Sequence, residues 1–208
     1  MAEYVETTEE QSREDDQLMD RLQKGDRRAF DELVRRHQPS LRSFFLVRST
    51  SARSRQQADD LAQDVLLKIY NEADKFVPQQ KFRAWMFRIA RNLLIDRARR
   101  DTYDALGGGR QSGDDEQLGR VACDSAQVVD VANTKTNADM IAALLDELPE
   151  EQMLTFKAHI FLGLSLPEVA EVMETNTATT KSRLRLAREK LQEKLAERGV
   201  RFSDDDFE

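Results

Sequence analysis

A single cysteine, Cys123, excludes an intramolecular disulfide and leaves no thiolate pair at metal-ligand spacing. The chain has two histidines, His37 and His159, far apart on helical patterns, where they read as packing or surface residues rather than ligands. Only 8 glycines and 4 prolines occur, and aromatics make up 7% of the residues, so the turn-rich, strand-rich pattern of a β fold is missing. No apolar run reaches the length of a membrane span, and no segment near Met1 resembles a secretory signal. What the chain has in quantity is charge, at 34% of 208 residues, in a composition that favours helix. The expectation is an all-α protein of one or two domains, cytoplasmic, without membrane insertion.

The net charge of −7 conceals an uneven distribution. Residues 1–20 carry eight acids and one base, whereas residues 21–100 carry nineteen bases and nine acids. Residues 101–140 are acidic again, with eight acids and three bases. The remainder is acidic in sum but holds a basic block, with eight bases against three acids over 177–201. Two basic helical blocks separated by acidic chain suit bipartite nucleic-acid binding, with the acidic segments opposing nonspecific association.

Periodicity predicts helices near Asp15–Lys24, Asp26–His37, Pro39–Val47, Arg55–Asp74 and Phe82–Arg100, then Ala138–Leu148 and Glu150–Leu162. Residues 1–13 are polar and expected to be disordered. Residues 14–100 form a first helical domain, and 101–137, with Gly107-Gly108-Gly109 and scattered Asp, a flexible linker. A second domain spans 138–198, and 199–208 is an acidic tail. Pro149 fits the first turn of its helix.

The second domain ends in two short helices with a tight connection. Ser165 and Glu168 form a capping box for the first, and Val169, Ala170, Val172 and Met173 give it an apolar side. In the second, Leu184, Ala187, Leu191 and Leu195 fall on one face. Lys181, Arg185 and Arg188 lie on one flank of that stripe, and Arg183, Lys190 and Lys194 on the other. A buried face with basic flanks suits a helix in the DNA major groove, and equally an amphipathic surface helix with solvated charges.

Two constellations mark the first domain. Asp59, Asp60 and Asp64 lie close together beside the apolar line Leu61, Val65 and Ile69. They suit a hard metal, a helix N-terminus complementing its dipole, or a docking surface; no further ligands are placed to complete a metal site. In 81–100, Phe82, Trp85, Met86, Ile89, Ala90 and Leu93 share one face, while Arg88, Arg91, Asn92 and Arg99 share the opposite one. Rings interleaved with cations suit single-stranded DNA, which stacks on rings while cations follow its backbone. The later aromatics are expected in the core.

The segments GDRRAFDELVRRH (25–37), DDLAQDVLLKIY (59–70), FRAWMFRIARNLLIDRARR (82–100), ELPEEQ (147–152) and GLSLPEVAEVM with TKSRLRLAREKL (163–173 and 180–191) occur in a telling order. Together they resemble the extracytoplasmic-function sigma factors of the sigma-70 family. The resemblance covers about 15–100 and 138–195. It implies two small helical domains, region 2-like and region 4-like, on a flexible linker. The function it implies is docking on core RNA polymerase and promoter-specific initiation, with no catalysis, cofactor, metal or small-molecule substrate.

By position, Asp60, Gln63 and Asp64 resemble the polymerase-docking helix. Phe76, Lys81, Phe82, Arg83 and Trp85 resemble the segment that helps open DNA and holds an unstacked base. Arg88, Arg91, Asn92 and Arg99 resemble the face presented to the minus-ten element. Thr179, Lys181, Ser182, Arg183, Arg185 and Arg188 resemble the helix that reads the minus-thirty-five element. The family also implies an anti-sigma protein covering both domains.

The chain departs from the family in the turn 174–180, ETNTATT, where a glycine and small apolar residues are usual. Asn176 is expected to take a left-handed conformation there and Thr177 to cap the next helix. Thr180 is expected to weaken the packing of that helix. Pro167 in a first turn is tolerable. The alternatives are a helix-turn-helix regulator acting without polymerase docking and a metal hydrolase using Asp59, Asp60 and Asp64. A dimer seam would mark the first, converging ligands the second. The acidic N-terminus is a candidate shield for the basic blocks.

Overall fold

The computed structural model describes residues 2–46, 52–79, 81–105, 143–145 and 147–198, all helix or connection, with no strand among them. Cys123, most of the expected linker and the acidic tail lie outside the described residues. No described helix is long and apolar enough to cross a membrane.

Helix α1 spans Ala2–Gln23, so residues 2–13, expected to be disordered, are helical. Its later turns are anchored by Leu18, Met19 and Leu22 in the core. Once that nucleus is fixed, each added residue gains a hydrogen bond at little further cost, and no Pro or Gly interrupts 2–23. Asp15 is fully buried and meets His37 at 2.9 Å and Arg36 at 3.0 Å on the next helix.

Helix α2 spans Arg27–Phe45. Gly25, at φ +89°, makes the turn, and the Asp26 carboxylate caps the helix by accepting from Arg28 N at 3.0 Å. The two helices expected on either side of Gln38 are one, with Pro39 inside it. Leu33, His37, Leu41, Phe44 and Phe45 are buried along a single face. That continuous burial outweighs the lost hydrogen bond, and Pro39 itself is exposed.

Helix α3 covers Ala52–Asn71 and buries Ala58, Leu61, Ala62, Val65, Leu66 and Ile69, a clear helical period. A short 3-10 turn, Ala73–Lys75, leads towards α4, Phe82–Ala105, which extends five residues into the expected linker. Phe44 and Phe87 meet between α2 and α4 with centroids 5.5 Å apart. Helices α1–α4 form the first unit.

In the second unit Leu144, Leu145 and Leu148 are buried ahead of α5, Glu150–Phe156. Pro149 stands at the N-cap of α5, one residue before the first turn expected for it. The helix expected as far as Leu162 widens into a π turn over Lys157–Phe161, with Leu162 N donating to Lys157 O at 3.1 Å. Helix α6, Leu166–Val172, carries the capping box, Glu168 accepting from Ser165 N at 2.8 Å.

Helix α7 spans Thr177–Glu197. In the turn before it the left-handed residue stands two positions, and the cap one position, earlier than expected. Glu174, not Asn176, takes the left-handed conformation at φ +50°, and Asn176 is the cap, accepting from Thr179 N at 2.8 Å. Thr180 is fully buried, but its hydroxyl donates to Asn176 O at 3.1 Å, so packing is kept. Helices α5 and α6 rest on α7, and α6 also rests on α4. The buried apolar side chains of both units form one continuous cluster.

Candidate nucleic-acid interface

A cavity of about 370 Å³ opens at the N-terminal end of α4, lined by Lys75, Phe76, Val77, Gln79, Lys81, Ala84, Trp85, Arg88 and Glu171. Its shape depends on a residue the sequence did not single out. The Gln23 side-chain amide donates to Ala73 O at 2.7 Å and Phe76 O at 2.8 Å, pinning the loop after α3 to the end of α1. These carbonyls lie 50 and 53 residues away, so no local pattern announces the contact. Phe76 then packs on Trp85 at 5.2 Å and on Phe82 at 5.8 Å.

Burial sorts the candidates on α4 and its approach. Phe82 is 1% exposed and Phe76 5%, so Phe82 belongs to the core and Phe76 to the cavity wall. Neither is free to stack broadly on a base. Trp85 is half-buried, with Arg88 exposed beside it at the cavity. Arg99 is exposed and Asn92 half-buried.

Lys81, Arg83 and Arg91 are engaged by the second unit. Lys81 pairs with Glu171, and Arg83 donates to Leu162 O. Arg91, with its side chain 10% exposed, lies 3.4 Å from both Glu151 and Glu174. The face expected to meet DNA is therefore partly covered by α5, α6 and the turn after α6. Sequence spacing gave no sign of this, because the partners are 60–90 residues distant.

The recognition-helix candidates are more open. Lys181, Ser182 and Arg185 are exposed near the start of α7, and Thr179 is half-buried there. Arg185 pairs along its own helix, with Glu189 at 2.5 Å. Arg183 is drawn inward to Glu151 at 2.7 Å, and Arg188 is half-buried. Glu151 thus serves both Arg183 and Arg91.

On α3 the carboxylates do not converge. Asp59 turns to Arg42 at 2.8 Å, and Asp60 accepts from Gln56 at 3.3 Å. Among the described residues no three His, Cys, Asp or Glu side chains gather as metal ligands. Asp60, Gln63 and Asp64 are all exposed, and Leu67, 59% exposed, shares their face at helical spacing. A leucine one turn after Asp64 on the polar face was legible in the spacing but was not among the residues singled out above.

Two family models match, Sigma-70 region 2 over residues 33–102 and Sigma-70 region 4 over 138–191. These matches take in α4 as far as residue 102, and α6 and α7 as far as residue 191. The chain belongs to the sigma-70 family. The RNA polymerase sigma-H factor of Pseudomonas aeruginosa is 30% identical over 189 residues, covering 88% of this chain and 94% of that protein. The ECF RNA polymerase sigma-E factor of Escherichia coli K12 is 26% identical over 188 residues, covering 87% and 94%. Among solved structures, the sigma factor RpoE bound to the anti-sigma factor NepR from Bartonella quintana has a TM-score of 0.60 at 27% identity, covering 80% of this chain and 96% of that one. This chain is accordingly an alternative sigma factor of the extracytoplasmic-function group, with the two-domain helical architecture expected for it.

Proposed function

We propose that this sigma factor brings core RNA polymerase to promoters through three separate surfaces and performs no catalysis itself. What supports this reading is the presence, on one chain, of two helices that set cations beside an apolar stripe, α4 and α7, and a face on α3 that neither unit buries. Asp60, Gln63, Asp64 and Leu67 on α3 dock on the clamp of the large polymerase subunit. A charged rim around one exposed apolar anchor suits a protein partner better than a nucleic acid.

The cavity beside Trp85 receives one unstacked base of the minus-ten element, with Lys81, Arg88 and Arg99 following the phosphates. Extrusion costs a few kcal/mol per base, which stacking and enclosure offset. Helix α7 enters the major groove at the minus-thirty-five element, with Lys181, Ser182 and Arg185 towards the DNA. An anti-sigma protein that spans both units is the expected regulator; the similar RpoE is itself found in complex with an anti-sigma factor, NepR.

The test is transcription in vitro from a pool of genomic fragments by core polymerase with and without the protein. New start sites that share two upstream elements and need the protein support the reading. DNA binding without new starts would instead make the chain a helix-turn-helix regulator.

A further inference from the structure

A fully buried carboxylate, Asp15 of α1, takes no part in the surfaces described so far. Its Oδ2 lies 2.9 Å from Nε2 of His37, itself only 5% exposed, and its Oδ1 lies 3.0 Å from the Arg36 guanidinium. Arg36 in turn reaches Glu14 at 2.9 Å and Glu32 at 3.7 Å, and Ser12 and Asp16 are buried on the same helix as Asp15. The contact between Asp15 Oδ2 and His37 Nε2 is an approach at ion-pair distance rather than an aligned hydrogen bond, and neither atom has a hydrogen-bond partner among the described residues. Taking charge into the interior is costly, and apolar side chains of similar volume often serve stability as well. What such a pair holds in place then matters more than the stability it adds.

His37 stands behind the cavity at the start of α4. Its ring meets Phe82 with centroids 5.1 Å apart and planes tilted by 54°. Phe82 closes a triangle of rings with Phe76 at 5.8 Å and Trp85 at 6.2 Å, and those two meet at 5.2 Å. Phe76 and Trp85 line the cavity. Rings in tilted and edge contact constrain one another's angle as well as their distance. Helix α1 therefore reaches the cavity twice, from Asp15 through His37 and Phe82, and from Gln23, whose amide holds Ala73 O and Phe76 O. All of α1 lies ahead of residue 33, where the region 2 match starts.

We propose that Asp15 and His37 are positioning residues for the minus-ten cavity. The buried carboxylate selects the angle of the His37 ring, and that ring sets Phe82 and with it the angle at which Trp85 meets an unstacked base. Neither residue touches DNA. The inference rests on the assignment of the cavity to a base made above. The last torsion of an aromatic side chain has a broad, two-fold minimum, so packing alone leaves a buried ring some freedom to turn. A carboxylate beside one ring nitrogen removes that freedom. Stacking on a base needs the indole face at a defined angle, so a tilt that leaves the fold intact is enough to weaken capture.

The test uses two variants of the full chain. D15L/H37F replaces the pair by apolar side chains, keeping a ring against Phe82 and removing what orients it. H37Q keeps a nitrogen near Asp15 and removes the ring. Both are compared with the wild type well below their melting temperatures, through the emission of the single tryptophan, Trp85, and its quenching by acrylamide in the absence of DNA. Both variants are expected to shift the emission and raise the quenching constant, with the melting temperature of D15L/H37F close to that of the wild type. In holoenzyme, on a promoter recovered from the genomic pool, open complexes detected by permanganate are expected to fall about tenfold, the equivalent of one lost base-stacking contact. Affinity for core polymerase is expected to stay the same, because the α3 face is untouched.

A folded D15L/H37F with the wild-type Trp85 signal overturns the proposal. If that variant does not fold, H37Q decides by the same readouts. A lowered melting temperature with unchanged Trp85 signal and unchanged open complexes assigns the pair to stability alone and overturns it too. So does a moved Trp85 signal with unchanged open complexes. Absence of open complexes with the wild type rejects the base-capture reading beneath the proposal, while the Trp85 signal, read without DNA, still reports whether the pair orients the ring.

Discussion

The two helices proposed to face DNA, α4 and α7, have different surroundings. At α4, Lys81 just before the helix and Arg83 and Arg91 within it find carboxylates and a carbonyl of the neighbouring unit, while Arg88 and Arg99 stay exposed. Helix α7 leaves Lys181, Ser182 and Arg185 in solvent and turns Arg183 inward. Both helices follow one design, an apolar stripe with basic flanks. The difference teaches that the same amphipathic pattern can mean availability or occupancy, depending on what the rest of the chain sets against it.

The substitution with the largest expected effect strikes the core beneath α4. Phe87→Ala removes a fully buried ring that meets Phe44 and should cost about 3–5 kcal/mol in urea unfolding. Because the buried cluster runs through both units, one shifted transition is expected. Two separate transitions would show that α4 and α7 stand on independent domains, and the contrast between them would become one of free partners.

Next in size is Arg185→Ala, expected to weaken binding to minus-thirty-five duplex by about 1–3 kcal/mol if the guanidinium reads a guanine. Arg183→Ala, by contrast, should change thermal stability more than DNA affinity, since Arg183 is committed to Glu151 at 2.7 Å. Gel-shift and melting measurements on both variants separate the roles, and the reverse ranking would undo the distinction between exposed and inward cations.

A smaller effect is expected at the entrance of α7. Asn176→Ala removes the side chain that accepts from Thr179 N and should cost about 1 kcal/mol, while Asn176→Gly should cost a few tenths. Equal losses for both would mean that the backbone of the turn, not the cap, sets the start of α7.

The smallest effect concerns pH. The Glu147 carboxylate is held below its ordinary value of 4.5, chiefly by the hydrogen bond from Lys194, then by the charges of Lys194 and Arg198. A lowered folded value means that its contribution to stability is complete above the unfolded value and is lost as pH falls through the folded one. Glu147→Gln should therefore narrow the stability gap between neutral and acid solution slightly, the group being exposed. An unchanged acid profile would show that the tie between α7 and the segment before α5 contributes nothing measurable.

Much of the fold was legible because it is written in local periodicity. The stripe Leu184, Ala187, Leu191, Leu195 is buried as its spacing requires, and Ser165 with Glu168 closes the capping box. Where neighbours in space decide, local signals misled. Polar composition argued against helix in 1–13, yet α1 continues through it from an anchored core. Pro39 argued for a break that the unbroken buried face of α2 overrides. In the turn before α7 the chemistry was read correctly and its position was not, with Glu174 taking the strained conformation and leaving Asn176 to cap.

For the candidate site the same division holds. Residue types and spacing alone marked the α3 acids, the α4 cations and the basic start of α7, because charge against an apolar stripe is visible along one helix. Only the tertiary structure decided which of these are available. Lys81 meets Glu171 across 90 residues, and Gln23 shapes a cavity across about 50. The physical reason is one of range. A helix face is fixed by residues three and four apart, whereas the partner of a charge is fixed by where two distant helices come to rest.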